Sequence, residues 1–196
     1  SNTKYRSTGL RVEGLEVEIK NPNPENGIGE IIVRGESVMK GYYNDAEITA
    51  EVLSPDGWFS TGDLGNFDDD GYLYIQGRLK NVILGPSGEN IYPEAIESII
   101  NRSEEVLESL VYDERGHLVA RVHLDYEKLD LEFSELKLTE TQAKQQIEER
   151  LEKLRKEVNE QVSSFSRIAF VIEQKEPFEK TPTQKIKRYL YTSSGV

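Results

Sequence analysis

Cysteine is absent from the 196 residues, which excludes a disulfide framework, a thiolate nucleophile and a cysteine-held metal, and fits a reducing compartment. Methionine occurs once, at Met39, so the sequence does not open on an initiator residue, and Ser1-Asn2 reads as a remnant of tag removal. The expectation is a piece of a longer protein. No apolar run approaches the roughly 20 residues that a membrane-spanning helix needs, and no N-terminal signal pattern is visible, so the expected location is the cytoplasm. Positive charge is scarce: 24 Lys and Arg stand against 36 Asp and Glu, a formal net charge of −12. That balance argues against nucleic acid or an anionic membrane as a partner, because no overall attraction to phosphate is available. The two histidines, His117 and His123, have no partner pattern and read as ordinary strand residues. What remains, 36% apolar and 31% charged residues, suits a soluble globular protein with its own core.

Hydrophobic periodicity predicts two regions of different character. Residues 9–83 read as β-rich, with Val12, Leu15, Val17 and Ile19 near a period of two and Ile31-Ile32-Val33 after a Pro/Asn/Gly loop. Asn26-Gly27, Asp56-Gly57 and Asp70-Gly71 supply hairpin turns. One helix is expected at 45–53, capped by Asn44, with Ile48 and Val52 on one face. After Gly77 helices and strands alternate. A strand at 81–84 leads through Gly-Pro-Ser-Gly to a helix opened by Pro93 that carries Ile96, Ile99 and Ile100. Strands at 107–112 and 118–124 flank a turn at 113–116. The longest helix is expected at 139–162, with Thr139 and Gln142 spaced as a capping box and Ile147, Leu151, Leu154, Val158 and Val162 as its stripe. That stripe suits packing on its own sheet better than a short coiled coil. A strand at 168–172 follows. The acidic segment 125–138 is expected to be a surface insertion. Asp68-Asp69-Asp70-Gly71 lacks the ligand spacing of a calcium loop and reads as a solvated turn. The fold class expected is α+β.

Charge is also uneven along the chain. Residues 175–196 hold Lys175, Lys180, Lys185, Lys187 and Arg188 against Glu176 and Glu179, a small positive patch able to meet an anionic ligand.

Four separated segments share one explanation. They are Gly29-Glu30-Ile31-Ile32-Val33-Arg34-Gly35 running to Met39-Lys40-Gly41-Tyr42-Tyr43; Trp58-Phe59-Ser60-Thr61-Gly62-Asp63-Leu64; Gly71-Tyr72-Leu73-Tyr74 to Gly77-Arg78-Leu79-Lys80; and Lys180-Thr181-Pro182-Thr183-Gln184-Lys185-Ile186-Lys187-Arg188. In this order and spacing the sequence resembles the adenylate-forming superfamily of acyl-CoA synthetases, peptide-synthetase adenylation domains and beetle luciferases. The Gly-Glu-Asn-Ile-Tyr-Pro run and the Thr-Pro-Thr-x-Lys-Ile-Lys-Arg run look like its long-chain fatty acyl branch. Glu89-Asn90 stands where many members carry a phosphate-contacting arginine after Gly-x, and Gln184 replaces the commoner glycine before the lysine.

The resemblance implies an AMP-forming ligase that joins a fatty acid to AMP, expels pyrophosphate and passes the acyl group to CoA. Lys185 is then the catalytic cation between carboxylate and α-phosphate; alone, it would read as a solvated lysine. Asp63 is the residue that accepts hydrogen bonds from the ribose hydroxyls, or else a turn aspartate beside Gly62. Arg78 closes over ribose and phosphates, or else forms a salt bridge to a neighbour such as Asp63 or an acidic residue of the 68–70 run; the two roles are compatible. Lys80 occupies the hinge position about which the C-terminal domain rotates between half-reactions. The loop with Gly85, Ser87, Gly88 and Glu89 is expected near the pantetheine arm of CoA, and in any case must turn the chain from strand to helix. Residues 1–79 are expected to be an incomplete β-rich subdomain of the adenylation core and 80–196 the mobile C-terminal domain. ATP and CoA are expected substrates of the parent enzyme, with Mg²⁺ held by residues lying elsewhere; the piece alone is expected to be inactive. Incompleteness implies exposed apolar surface or a covering dimer. An acyl carrier protein in place of CoA, or a non-catalytic partner-binding module, are the alternatives.

Overall fold

Strands adjacent in sequence usually pair in space, and those of the first half of the chain do so. The computed structural model describes residues 4–192, so Ser1-Asn2 lies outside the described residues. β1 (Leu15–Lys20), β2 (Gly29–Gly35), β3 (Phe59–Phe67) and β4 (Leu73–Arg78) form an antiparallel meander in sequence order. Val17, Ile31, Leu64 and Tyr72 are its buried side chains. Register slips between Glu30 and Ile32 and again between Leu64 and Gly65, so the middle of the sheet is bulged where β3 bends. Val12 precedes β1 and is 64% exposed. The acidic run is a turn: Asp68 Oδ1 accepts the N–H groups of Asp70 and Tyr72, and Oδ2 pairs with Lys4.

The short helix α1 (Ala46–Val52) is capped by Asp45, not Asn44. Asn44 takes φ +53°, a left-handed turn position that asparagine tolerates, and this frees Asp45 to accept the Ile48 N–H at 3.0 Å. None of its residues is buried, so the Ile48/Val52 pair makes no core face.

The chain divides into two compact units between Val82 and Ile83. A 3₁₀ turn at Leu79–Asn81 replaces the first half of the strand expected at 81–84, and it belongs with the first unit because it packs on β3.

In the second unit the two-residue strands β5 (Ile83–Leu84) and β6 (Asn90–Ile91) form a hairpin that feeds α2 (Pro93–Ile100). β7 (Val106–Glu114) and β8 (His117–Leu124) pair around Arg115 and Gly116, at φ +55° and +82°, a tighter turn than the four residues expected. β9 (Phe170–Glu173) adds in parallel to β8. Between β8 and β9 run α3 (Tyr126–Glu135) and α4 (Glu140–Asn159), the latter opened by the capping box of Thr139 and Gln142 and ending before Val162.

Residues 125–138 are thus not a surface insertion. Asp125 caps α3 by accepting the Lys128 N–H, and Leu129 and Phe133, four apart, are 1% and 8% exposed. An apolar pair at that spacing lies on one helix face, and burying it outweighs the acidity of the other faces. Arg150 of α4 pairs with Glu105 and Glu132 and holds α3 and α4 to the segment before β7.

Alternation along β7 buries both faces of this sheet. Val111, with Ala120 and Val122, faces α2, α3 and α4, joined by Ile96, Ile100, Leu129, Leu151 and Val158. Leu110, Tyr112 and Val119 face the opposite side, where Phe178, Ile186 and Tyr191 cover them. The basic tail is therefore a layer of the fold. His117 is exposed on β8; His123 is buried, its Nδ1 2.8 Å from the Gln174 carbonyl.

Candidate functional site

Asp63 and Arg78 lie directly opposite each other on β3 and β4, and Arg78 Nε meets Asp63 Oδ1 at 2.8 Å. The approach to Asp63 is held from behind. Thr61 Oγ1 donates to the Ile31 carbonyl at 2.7 Å and accepts the Asp63 N–H at 3.0 Å, while Gly62, at φ +70°, offers its N–H to Glu30 Oε1 at 3.3 Å. A left-handed φ between Thr61 and Asp63 favours glycine. The side chains are 32% and 41% exposed, so a ligand can reach them, and among the described residues no other acid pairs with Arg78. Both the ion-pair reading of Arg78 and an open guanidinium fork therefore hold in one geometry.

Lys80 lies in the 3₁₀ turn, two residues before the division between the units. The loop after β5 is a closed turn: the Gly88 N–H donates to the Gly85 carbonyl at 3.0 Å, and Gly85 donates to the Glu89 carbonyl at 2.8 Å. Glu89 folds back to accept the Ser87 N–H at 3.1 Å, and a Cβ on Gly85 would meet that carboxylate at 2.6 Å. Gly88, at φ +90°, has open space around it and stands exposed beside Ser87. The glycines are thus explained by turn geometry and leave the loop's tip bare.

Lys185 sits on a second hairpin. Lys180 and Ile186 form an antiparallel bridge, the Gln184 N–H closes on the Thr181 carbonyl at 2.9 Å, and Thr181 N–H donates to the Lys185 carbonyl at 2.8 Å. Pro182 fits the second position of such a turn. Gln184 takes φ +63°, the left-handed position that a β-carbon disfavours. The physical reason for a glycine before the lysine is thereby visible. Replacing Gln184 with glycine is expected to raise stability by up to about 1 kcal/mol, the left-handed cost of about 1–2 kcal/mol less glycine's greater entropy loss, measured as a shift of the urea midpoint at constant slope.

The positive patch is mostly neutralised. Lys180 pairs with Glu108, Lys187 with Glu179 at 3.2 Å, and Arg188 with Glu97 at 2.6 Å. Lys185 is exposed, and no acid among the described residues pairs with it. It is the one cation of its signature left with an open ammonium. The half-buried pair of Glu97 and Arg188 had no signal in the sequence, since 91 positions separate them. Burial pushes the Glu97 carboxyl above the usual glutamate range against the pull of Arg188. Among the described residues no group of His, Asp and Glu could hold a metal ion, and no helix is long and apolar enough to cross a membrane.

No family model matches the chain. Over 104 residues, 53% of its length, it is 47% identical to a sulfoacetate–CoA ligase of Cupriavidus necator. Over 119 residues it is 40% identical to a long-chain-fatty-acid–CoA ligase of Rattus norvegicus. The chain spans only 20% and 16% of the lengths of these curated relatives. Its fold matches the ATP-bound RpMatB-BxBclM chimaera with a TM-score of 0.73 and 27% identity, covering 97% of this chain and 37% of that one. It also matches the o-succinylbenzoate–CoA synthetase of Bacillus subtilis in complex with AMP, with a TM-score of 0.72 and 25% identity over 97% of this chain and 36% of that one. The chain thus shares sequence with acid–CoA ligases and its α+β fold with adenylate-forming enzymes, and both likenesses are to the same acyl-activating class of protein.

Proposed function

We propose that this chain is part of an ATP-dependent acid–CoA ligase that adenylates a fatty acid and transfers the acyl group to CoA. The observation that carries the proposal is the unpaired Lys185 ammonium on an exposed hairpin whose neighbouring cations are all engaged. Adenylation joins two anions, a carboxylate and an α-phosphate, and an open ammonium with three donors offsets the charge that gathers between them. In this reading Asp63 accepts the ribose hydroxyls and Arg78 turns its remaining N–H groups to ribose and phosphate. Lys80 is the pivot between the two units. The bare tip at Ser87 and Gly88 lies beside the pantetheine arm in the second step, where the lack of a Cβ admits close passage. The first unit is then the end of the larger adenylation domain and the second the mobile domain.

Magnesium, which accompanies ATP, would be held elsewhere in the complete enzyme. We further place that enzyme in the cytoplasm. Exposed Leu10, Val12, Tyr43, Ile48 and Ile75 support a first unit covered by more of its own protein or by a second copy. The fatty acid as substrate class is favoured by similarity to the rat long-chain ligase, and CoA over a carrier protein by the CoA ligases among the relatives.

The test is carboxylate-dependent pyrophosphate release by the complete enzyme, with short, long and aromatic acids and with CoA or carrier protein as acceptor. Highest turnover is expected with a fatty acid and CoA. Pyrophosphate release with no acid in the panel would overturn the ligase reading, and preference for an aromatic acid would overturn the substrate class.

A further inference from the structure

Arg188 follows Lys185 by three residues, yet it points into the fold. Its Nη2 donates to both carboxylate oxygens of Glu97 at 2.6 Å, its Nη1 donates to the Val111 carbonyl at 3.1 Å, and Glu94 lies 3.6 Å away. Glu97 Oε1 in turn accepts the Val111 N–H at 2.7 Å. β7 is an edge strand, so the outward N–H and C=O of Val111 have no strand to bond. The Glu97 carboxylate and the Arg188 guanidinium take the place of that strand at one peptide. With side chains 13% and 22% exposed, both groups are largely shielded from water.

We propose that Arg188 is a positioning residue: clamped to α2 through Glu97 and to the β7 edge through Val111, it fixes the base of the hairpin that presents Lys185. The proposal rests on the reading of Lys185 as the adenylation cation. Three further contacts define the same base. Ile186 packs on the Leu110, Tyr112 and Val119 face, Lys180 pairs with Glu108, and the Lys187 N–H donates to the Glu179 carbonyl at 2.9 Å. Inward and outward side chains alternate here, so fixing Arg188 and Ile186 inward sends Lys185 outward. Arginine suits the position because its fork spans a carboxylate on one element and a carbonyl on another, which a lysine's single ammonium does not reproduce. A misplacement of about 1 Å of a catalytic group can cost on the order of 10²-fold in rate, so a change at the base is legible at the tip.

The experiment uses the complete enzyme and separates its half-reactions: pyrophosphate exchange for adenylation, and thiolysis of a supplied acyl-adenylate by CoA. Arg188→Lys is expected to lower the adenylation kcat by about 10–100-fold, with the KM for ATP and acid changed less than about threefold and thiolysis within about twofold. Glu97→Gln keeps an acceptor for the Val111 N–H and is the milder variant should Arg188→Lys fold poorly; about a 3–10-fold loss in the same step is expected. Combining the two is expected to add little to Arg188→Lys alone, as for groups acting as a unit. Wild-type adenylation in Arg188→Lys, equal loss in both half-reactions or simple additivity would each overturn the positioning role. Lys185→Ala runs beside them. Adenylation that survives this change overturns the reading of Lys185 and the proposal built on it, whereas its loss with Arg188→Lys unimpaired overturns the positioning role alone.

Discussion

Lys185→Ala in the complete enzyme is expected to slow acyl-adenylate formation by roughly 10²–10³-fold while leaving thiolysis of a supplied acyl-adenylate within about twofold. The asymmetry follows from where charge develops. In the first step the attacking carboxylate and the α-phosphate are both anionic, and an ammonium between them stabilises the transition state more than the separated reactants. In the second step the nucleophile is a thiol and the leaving group is AMP, and the exposed tip at Ser87 and Gly88 is the part assigned to it. Lys185 is neither buried nor ion-paired among the described residues, so truncating its side chain breaks no ion pair and removes no core packing, and folding should be unaffected. Rapid-quench measurement of the two steps checks this; equal losses in both would reject the separate assignments of the two loops.

Truncating Leu129 to alanine is expected to destabilise the second unit by about 2–5 kcal/mol, in the range for large-to-small changes at fully buried sites. Its side chain is 1% exposed and joins the cluster formed by α2, α4 and the sheet. Leu131, two residues on, is 70% exposed on the same helix. Leu131→Ala is therefore expected to change stability by no more than about 0.5 kcal/mol. Chemical denaturation of both variants reads the contrast directly. Similar small effects would mean that α3 contributes no core and that the segment is the loose insertion its composition suggests.

The same segment marks where the sequence was hard to read. α2 and α4 announced themselves through Pro93, the Thr139/Gln142 box and clean apolar stripes, and their buried residues are Pro93, Ile96, Ile100, Leu151 and Val158. In α3 the stripe is short, with Tyr126, Leu129 and Phe133 at helical spacing, and the five acids from Asp125 to Glu135 hid it. Asn44 and Asp45 are both good caps; tertiary backbone geometry, putting Asn44 at positive φ, decided between them. At the site, the opposition of Asp63 and Arg78 was within reach of sequence because one hairpin joins them. The clamp of Arg188 on Glu97 was not, since it depends on which strand forms the sheet edge and where the tail crosses it. The charge count likewise overstated the positive patch, because pairing of Lys180 with Glu108 and of Arg188 with Glu97 depends on distant parts of the folded unit.

The parallel entry of β9 beside β8 has a kinetic consequence. β7 and β8 are joined by a tight turn and can zip locally within microseconds, but β9 can dock only after the chain has passed through residues 125–169 and two helices. The covering layer of Phe178, Ile186 and Tyr191 follows β9 and settles later still. Amide protons of β9 and the tail should therefore exchange sooner than those in the middle of β7 and β8, so the segment bearing Lys185 would be the last to acquire its form and the first to loosen.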